Sequence, residues 1–227
     1  MHEPNDNQSS ILRWEDHIVP IIKHPDIHIR DKSLLAVAWE SYPRPSELHR
    51  LSFGDLEDRG NYVLVSLTGP DGCSRSLTLC GSMPYLKRWV QAEHPVTDLL
   101  APDADPLEHA APETPIWTQT QSTTQIPFTQ LRAITKRACA CDNVPTEFTL
   151  HDIRRSRAIL LDARLGPNAS IFWEQFGWEP KIRTEFVETL EDDSFSEEFK
   201  PRHPIQCSDC GAWAPLHHPC LWCGTSR

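Results

Sequence analysis

His151 and Arg154 stand three residues apart in Thr149-Leu150-His151-Asp152-Ile153-Arg154-Arg155-Ser156. On a helix that spacing is close to one turn, so both side chains leave the same face. A distant guanidinium, Arg44, lies in Pro43-Arg44-Pro45-Ser46-Glu47-Leu48. Two guanidiniums can clamp the non-bridging oxygens of a phosphate with paired hydrogen bonds, and a nearby imidazole can shuttle protons. Cutting a phosphodiester would further need an oxygen nucleophile. The three tyrosines are Tyr42, Tyr62 and Tyr85, and none follows His151.

A second chemistry sits near the C-terminus. Cys207, Cys210, Cys220 and Cys223 form C-x2-C-x9-C-x2-C, with a glycine after each pair. Four thiolates at this spacing make a closed tetrahedral site, which fits structural Zn2+ rather than a catalytic metal. The glycines suit tight knuckles whose backbone amides face the sulfurs. Cys73, Cys80, Cys139 and Cys141 show no ligand spacing. Paired thiols read as ligands point to a reducing compartment, and the polar start of the chain is unlike a signal peptide. The expected location is therefore cytoplasmic, with no membrane partner.

The elements that must position these groups follow from pattern. A helix is expected from Asp31 to Glu40, with Asp31 at its start and Pro43 and Pro45 beyond its end. Ser46 is expected to cap a short helix to Leu51. Tyr62 to Leu67 and Ser74 to Leu79 alternate as strands about a Gly69-Pro70-Asp71-Gly72 turn, so they form a hairpin. Helices are expected from Pro84 to Glu93, Thr129 to Ala140 and His151 to Arg164. Further helices fit 168–176 and 182–190. The proline-rich, acidic stretch from Pro95 to Pro115 reads as a surface loop. The fold class is thus α+β and mainly α, followed by a small zinc knuckle. The expected divisions are an extension over 1–28, a main domain over 29–192, an acidic linker over 193–206 and the metal module over 207–227.

With 39% hydrophobic residues the chain can build a real core. Its formal net charge of −10 opposes nucleic-acid binding overall. The charge is uneven, however. From Leu131 to Arg164 the cations Arg132, Lys136, Arg137, Arg154, Arg155, Arg157 and Arg164 outweigh Asp142, Glu147, Asp152 and Asp162, while acids gather from Glu185 to Glu198. Lys136, Arg137, Arg155 and Arg157 are the candidate DNA contacts, although a solvated helix face is the plainer reading of Arg155 and Arg157.

In order and spacing these pieces resemble the catalytic domain of the tyrosine recombinase (phage integrase) family over roughly residues 30–190. Pro43-Arg44-Pro45-Ser46-Glu47-Leu48 is similar to its R-x-S-E-L turn, Phe53-Gly54-Asp55-Leu56 to the element after it, and the hairpin to its hairpin. Pro115-Ile116-Trp117 resembles its next strand, His151-Asp152-Ile153-Arg154-Arg155 its H-x-L-R-H, and Phe176-Gly177-Trp178 its L-G-H or L-G-W ending. The resemblance implies Arg44, His151, Arg154 and Trp178 as a phosphate-gripping set, with Glu47 orienting Arg44.

Two departures matter. The family carries a lysine in the hairpin turn, and here Arg75 is the nearest cation. Arginine holds its proton too tightly to replace that acid. The nucleophile position past Trp178 falls on Phe186 or Val187, which have no side-chain oxygen. The family also carries a separate N-terminal domain, and 30 residues precede Asp31 here. The resemblance implies a protein of DNA recombination and DNA integration type that binds double-stranded DNA with an incomplete active site. Itself or a full-length integrase would be its protein partner. One alternative is an active recombinase subunit supplied with tyrosine in trans. Another is a protein-interaction module that has lost DNA binding.

Overall fold

The computed structural model describes residues 11–70, 72–165, 176, 205–208 and 213–214. The segments expected as helices over 168–176 and 182–190, the linker over 193–206 and the extension's first ten residues lie wholly or mostly outside these. Trp178, Phe186, Val187, Cys210, Cys220 and Cys223 also lie outside them.

The centre is α2, Ile29–Ser41, after a π-helical turn at Trp14–Ile18 and α1, Val19–Lys23. Apolar residues occupy all sides of α2, and Leu34, Leu35, Ala36, Val37, Ala38 and Trp39 are all buried. A helix apolar all round belongs inside a protein, and α1, α4, α7 and β3 pack against this one. Its start differs from expectation. The N-cap is His28, whose Nδ1 accepts from the Arg30 amide at 3.2 Å. Asp31 lies in the first turn with its carboxylate committed elsewhere. Arg30 donates to Oδ1 through Nε and Nη2 at 2.9 and 2.8 Å, and Arg137 donates to Oδ2 at 2.5 Å.

The end of α2 is sharp. Tyr42 adopts φ 38, ψ 49, the left-handed region that most side chains avoid. Pro43 and Pro45 forbid a continued helix. The chain re-enters α3 at Pro45–His49 with Arg44, not Ser46, at the N-cap position. The Glu47 carboxylate reaches back and accepts the Arg44 amide at 2.7 Å.

A 3-10 turn at Phe53–Asp55 leads into an antiparallel sheet of β1 Leu56–Asp58, β2 Val63–Thr68 and β3 Ser74–Leu79. The order is β1-β2-β3, with Leu56 opposite Val65 and Val63 opposite Leu79. Alternation sets the faces. Val63, Val65 and Leu67 are buried on β2, and Leu77 and Leu79 on β3. Arg75 shares the parity of Leu77 and Leu79, which aims it inward.

The helix expected from Pro84 to Glu93 is α4, Met83–Arg88, relaxing into a π-helical turn at Trp89–Glu93. The Glu40 carboxylate accepts the amides of Cys80, Gly81 and Ser82 at 2.8–2.9 Å, tying α2 to the start of α4.

The stretch from Pro95 to Pro115 is more than a loop. It holds a 3-10 turn, Pro95–Leu99, and α5, Pro106–His109. Its far end then docks. The Gly54 amide donates to the Pro112 carbonyl at 2.8 Å, and that of Phe53 to Thr114 at 2.9 Å. A Cβ on Gly54 would lie 2.9 Å from the Pro112 side chain, so only glycine allows this approach. Trp117 is fully buried and donates Nε1–H to the Leu48 carbonyl at 2.8 Å. Trp89 does the same to Ile116 at 2.8 Å.

The next helix is α6, Gln130–Ala138, and the last long one is α7, Leu150–Leu165. Thr149 and Asp152 cap α7 reciprocally, as the Thr149 amide and hydroxyl donate to Asp152 at 2.8 and 2.7 Å. A final hairpin pairs β4 Ile205–Gln206 with β5 Trp213–Ala214, and β5 lies against α4. No helix among the described residues is long and apolar enough to cross a membrane.

Candidate functional site

Three arginines from three elements converge where α2 ends. Glu47, on α3, binds two of them, and its side chain has no solvent exposure. From β3, Arg75 donates to both carboxylate oxygens, Nη1 to Oε1 at 2.9 Å and Nη2 to Oε2 at 2.6 Å. Arg44 adds Nη1 to Oε1 at 3.0 Å. Burial alone would raise the Glu47 carboxyl, but the bonds from Arg75 and from the Arg44 amide outweigh it and hold the pKa down at about 2.

Arg154 enters from α7. Its Nη1 donates to the Tyr42 carbonyl and its Nη2 to the Phe176 carbonyl at 2.7 Å. The left-handed turn at Tyr42 therefore presents a carbonyl to the buried guanidinium. The Tyr42 ring stacks on Phe176 with centroids 4.2 Å apart. Burial, then repulsion from Arg75 and Arg44, lowers the Arg154 pKa to about 9. It stays cationic at neutral pH, at an electrostatic cost that a bound anion would offset. Burial pushes the Tyr42 phenol up to about 12, against the pull of Arg157, Arg75 and Arg154. This tyrosine is thus a neutral wall of the cluster.

The structure sorts the residues expected from sequence. Arg44 and Arg154 come together, and Arg75 joins them as the cation that binds Glu47 most fully. Its parity with Leu77 and Leu79 is the signal that marks it in the sequence. His151 and Arg154 share a helix but not an environment, since His151 is exposed while Arg154 is buried. His151 lines a groove with Pro45, the residue after Arg44.

Two expectations for the basic face change. Arg157 is 6% exposed, with its guanidinium 5.4 Å from the Trp39 ring centroid and 5.5 Å from that of Tyr42, so it is no part of a solvated face. Its position on α7, one turn from Arg154, turns it toward α2. Arg137 spends a hydrogen bond on Asp31. Lys136 is exposed and Arg155 half-buried. Of the four module cysteines only Cys207 is among the described residues, where it is buried directly after β4.

No protein-family model matches the chain. No curated protein matches its sequence. Solved structures do. The XerH site-specific recombinase bound to palindromic difH substrate, in a post-cleavage complex, matches at TM-score 0.57 and 16% identity over 78% of this chain and 48% of that one. The same enzyme in a pre-cleavage complex with difH matches at TM-score 0.57 and 14% identity, over 80% and 49%. The XerA recombinase matches at TM-score 0.57 and 16% identity, over 85% and 62%. The chain spans about half the length of the XerH chains. At these identities the likeness is one of fold, and that fold of helices with a small antiparallel sheet is shared with tyrosine recombinases.

Proposed function

We propose that this chain binds double-stranded DNA through a recombinase-type phosphate grip and does not cut the strand by itself. The observation that carries the reading is the convergence of Arg44 and Arg75 on the Glu47 carboxylate with the Arg154 guanidinium buried nearby. Burial, then the nearby Arg75 and Arg44, lowers the Arg154 pKa, so the three guanidiniums share one neighbourhood. A phosphodiester is an anion of matching size and geometry for paired guanidiniums. The XerH structures of similar fold contain difH substrate, which supports DNA as the ligand. Arg44, with its side chain 34% exposed, is the arm that can reach it.

Loss of cleavage rests on chemistry. Phe186 and Val187, at the positions where the family resemblance puts the nucleophile, offer no side-chain oxygen. The hairpin supplies Arg75, which is tied to Glu47 and is a poor proton donor. The protein would act as a regulator or as an accessory to a complete integrase. Net charge of −10 favours a second reading, a protein-interaction module.

The test is fluorescence anisotropy with duplex DNA across a salt series, for wild type, Arg44→Ala and Arg44→Ala/Arg154→Ala, with circular dichroism to confirm folding. The slope of log K against log salt should be about −0.9 per phosphate contact. Arg44→Ala should weaken binding and reduce the slope by about 1. No binding at any salt by a folded protein would favour the interaction module. A protein–DNA adduct surviving denaturant would overturn the loss of cleavage.

The four cysteines Cys207, Cys210, Cys220 and Cys223 are assigned one structural Zn2+. The assignment is supported by the spacing of the four cysteines, and Cys207 is buried directly after β4. Metal analysis should find one zinc per chain, lost in Cys220→Ser. A folded, zinc-free wild type would remove the assignment.

A further inference from the structure

A groove of about 360 Å³ opens beside the arginine cluster. It is lined by Pro45 at the start of α3, Phe128 before α6, Arg132 and Thr135 on α6, and Thr149 and His151 at the start of α7. Pro45 follows Arg44 directly, so the groove begins where the phosphate grip ends. Its volume is at the small end for ligand sites, which run from about 300 to 1,000 Å³. That is room for one base and its sugar.

Two observations say what fits. Phe128 is 52% exposed, one of two large apolar side chains so exposed among the described residues. Its ring is nevertheless held. His49 meets it edge to face, with centroids 5.3 Å apart and planes at 77°, and the His49 Nε2 is itself within 2.7 Å of the Ile126 carbonyl. A fixed, solvent-facing aromatic ring is a prepaid stacking surface. The rim is cationic or polar, with Arg132 and His151 both exposed, and Lys136 exposed one turn along α6. That charge complements a nucleic-acid backbone. Of the three threonines in the lining, Thr149 is engaged with Asp152 and Thr135 with the Arg132 carbonyl, so Arg132, His151 and the Thr129 hydroxyl are the groups placed to reach a base edge.

We infer that this groove holds a single unstacked nucleobase of the bound DNA, stacked on Phe128 and edged by Arg132 and His151. The inference rests on the DNA-binding reading above. In a paired duplex both faces of every base are covered, so only an extruded or unpaired base can enter. The protein should therefore prefer DNA distorted or bulged next to the gripped phosphate over a perfect duplex.

The experiment compares a fully paired duplex with the same duplex carrying one bulged 2-aminopurine. Anisotropy reads affinity, and 2-aminopurine fluorescence reads stacking. Wild type should bind the bulged DNA about fivefold to a hundredfold more tightly, the range expected for one base stacked on an aromatic side chain. The fluorescence of the bulged base should fall on binding. Phe128→Leu keeps an apolar side chain without a π face and should cancel that ratio, while Phe128→Trp should retain it. Phe128 is exposed, so neither change threatens folding. Equal affinity for the two DNAs, or a ratio unchanged in Phe128→Leu, overturns the base site and leaves the DNA grip standing. Binding to neither DNA overturns both. Sedimentation of the same samples without DNA covers the remaining occupant. A dimer that Phe128→Leu abolishes would make the groove a contact between copies and overturn the inference.

Discussion

Asp31 and Glu47 are both buried carboxylates that hold two guanidiniums, yet they do different work. At Asp31 the circuit closes. Arg30 spends Nε and Nη2 on the carboxylate and Nη1 on the Thr118 carbonyl at 2.9 Å, and Arg137 covers the other oxygen from the surface. Three parts of the chain, α2, the segment after Trp117 and α6, are riveted there. At Glu47 the cluster is larger. Arg75 and Arg44 share the carboxylate, and Arg154 is buried close enough to be repelled by both. The same side-chain chemistry thus gives a rivet where two guanidiniums end on one carboxylate and a candidate anion site where a third guanidinium is buried beside them. A buried ion pair by itself says nothing about function. The third cation, Arg154, makes the difference.

The comparison can be broken most directly at the rivet. Asp31→Ala leaves Arg30 buried beside an empty space and should destabilise the fold by about 3–5 kcal/mol, measured by urea unfolding. A loss below about 1 kcal/mol would mean that the Asp31 cluster holds nothing together. Glu47 offers the next largest effect, through pH. Its folded pKa, about 2, lies below the ordinary value of 4.5. The stabilisation is therefore complete above pH 4.5 and is lost as pH falls toward 2. Its size is about 3 kcal/mol, from the shift at 1.36 kcal/mol per pKa unit. Unfolding followed from pH 5 to pH 2.5 should show that slope in wild type and a flatter one in Glu47→Gln. Identical slopes would mean that Arg75 and Arg44 do not hold the carboxylate as described. The smallest effect is a control away from both carboxylates. Gly54→Ala forces a Cβ against Pro112 and should cost about 1–3 kcal/mol by overpacking, read from the urea midpoint. It should leave the pH slope of Glu47 in place.

Local pattern carried much of the scaffold. Strand alternation located β3 at Ser74–Leu79, and the prolines around Arg44 marked the break after α2. Both are short-range effects, set by side-chain parity and by a ring that locks φ. The boundaries at caps were less legible. Asp31 reads as an N-cap until Arg30 and Arg137 claim its carboxylate, because a cap and an ion-pair partner use the same oxygens. The stretch from Pro95 to Pro115 reads as an acidic loop because its docking is made by backbone groups, Pro112 to Gly54 and Thr114 to Phe53, which composition does not reveal.

By itself the sequence determined which chemistry is present: guanidiniums at Arg44 and Arg154, an imidazole at His151, four spaced thiols, and no tyrosine after His151. Those are properties of residue type and spacing. Only the tertiary structure decided which cations share a field. Arg75 is brought to Glu47 by strand parity and packing, Arg157 is turned away from solvent onto Trp39 and Tyr42, and Arg137 is drawn off to Asp31. Coulomb forces act through space between groups far apart in the chain, so the partition of these arginines among rivet, core and site exists only once the chain has folded.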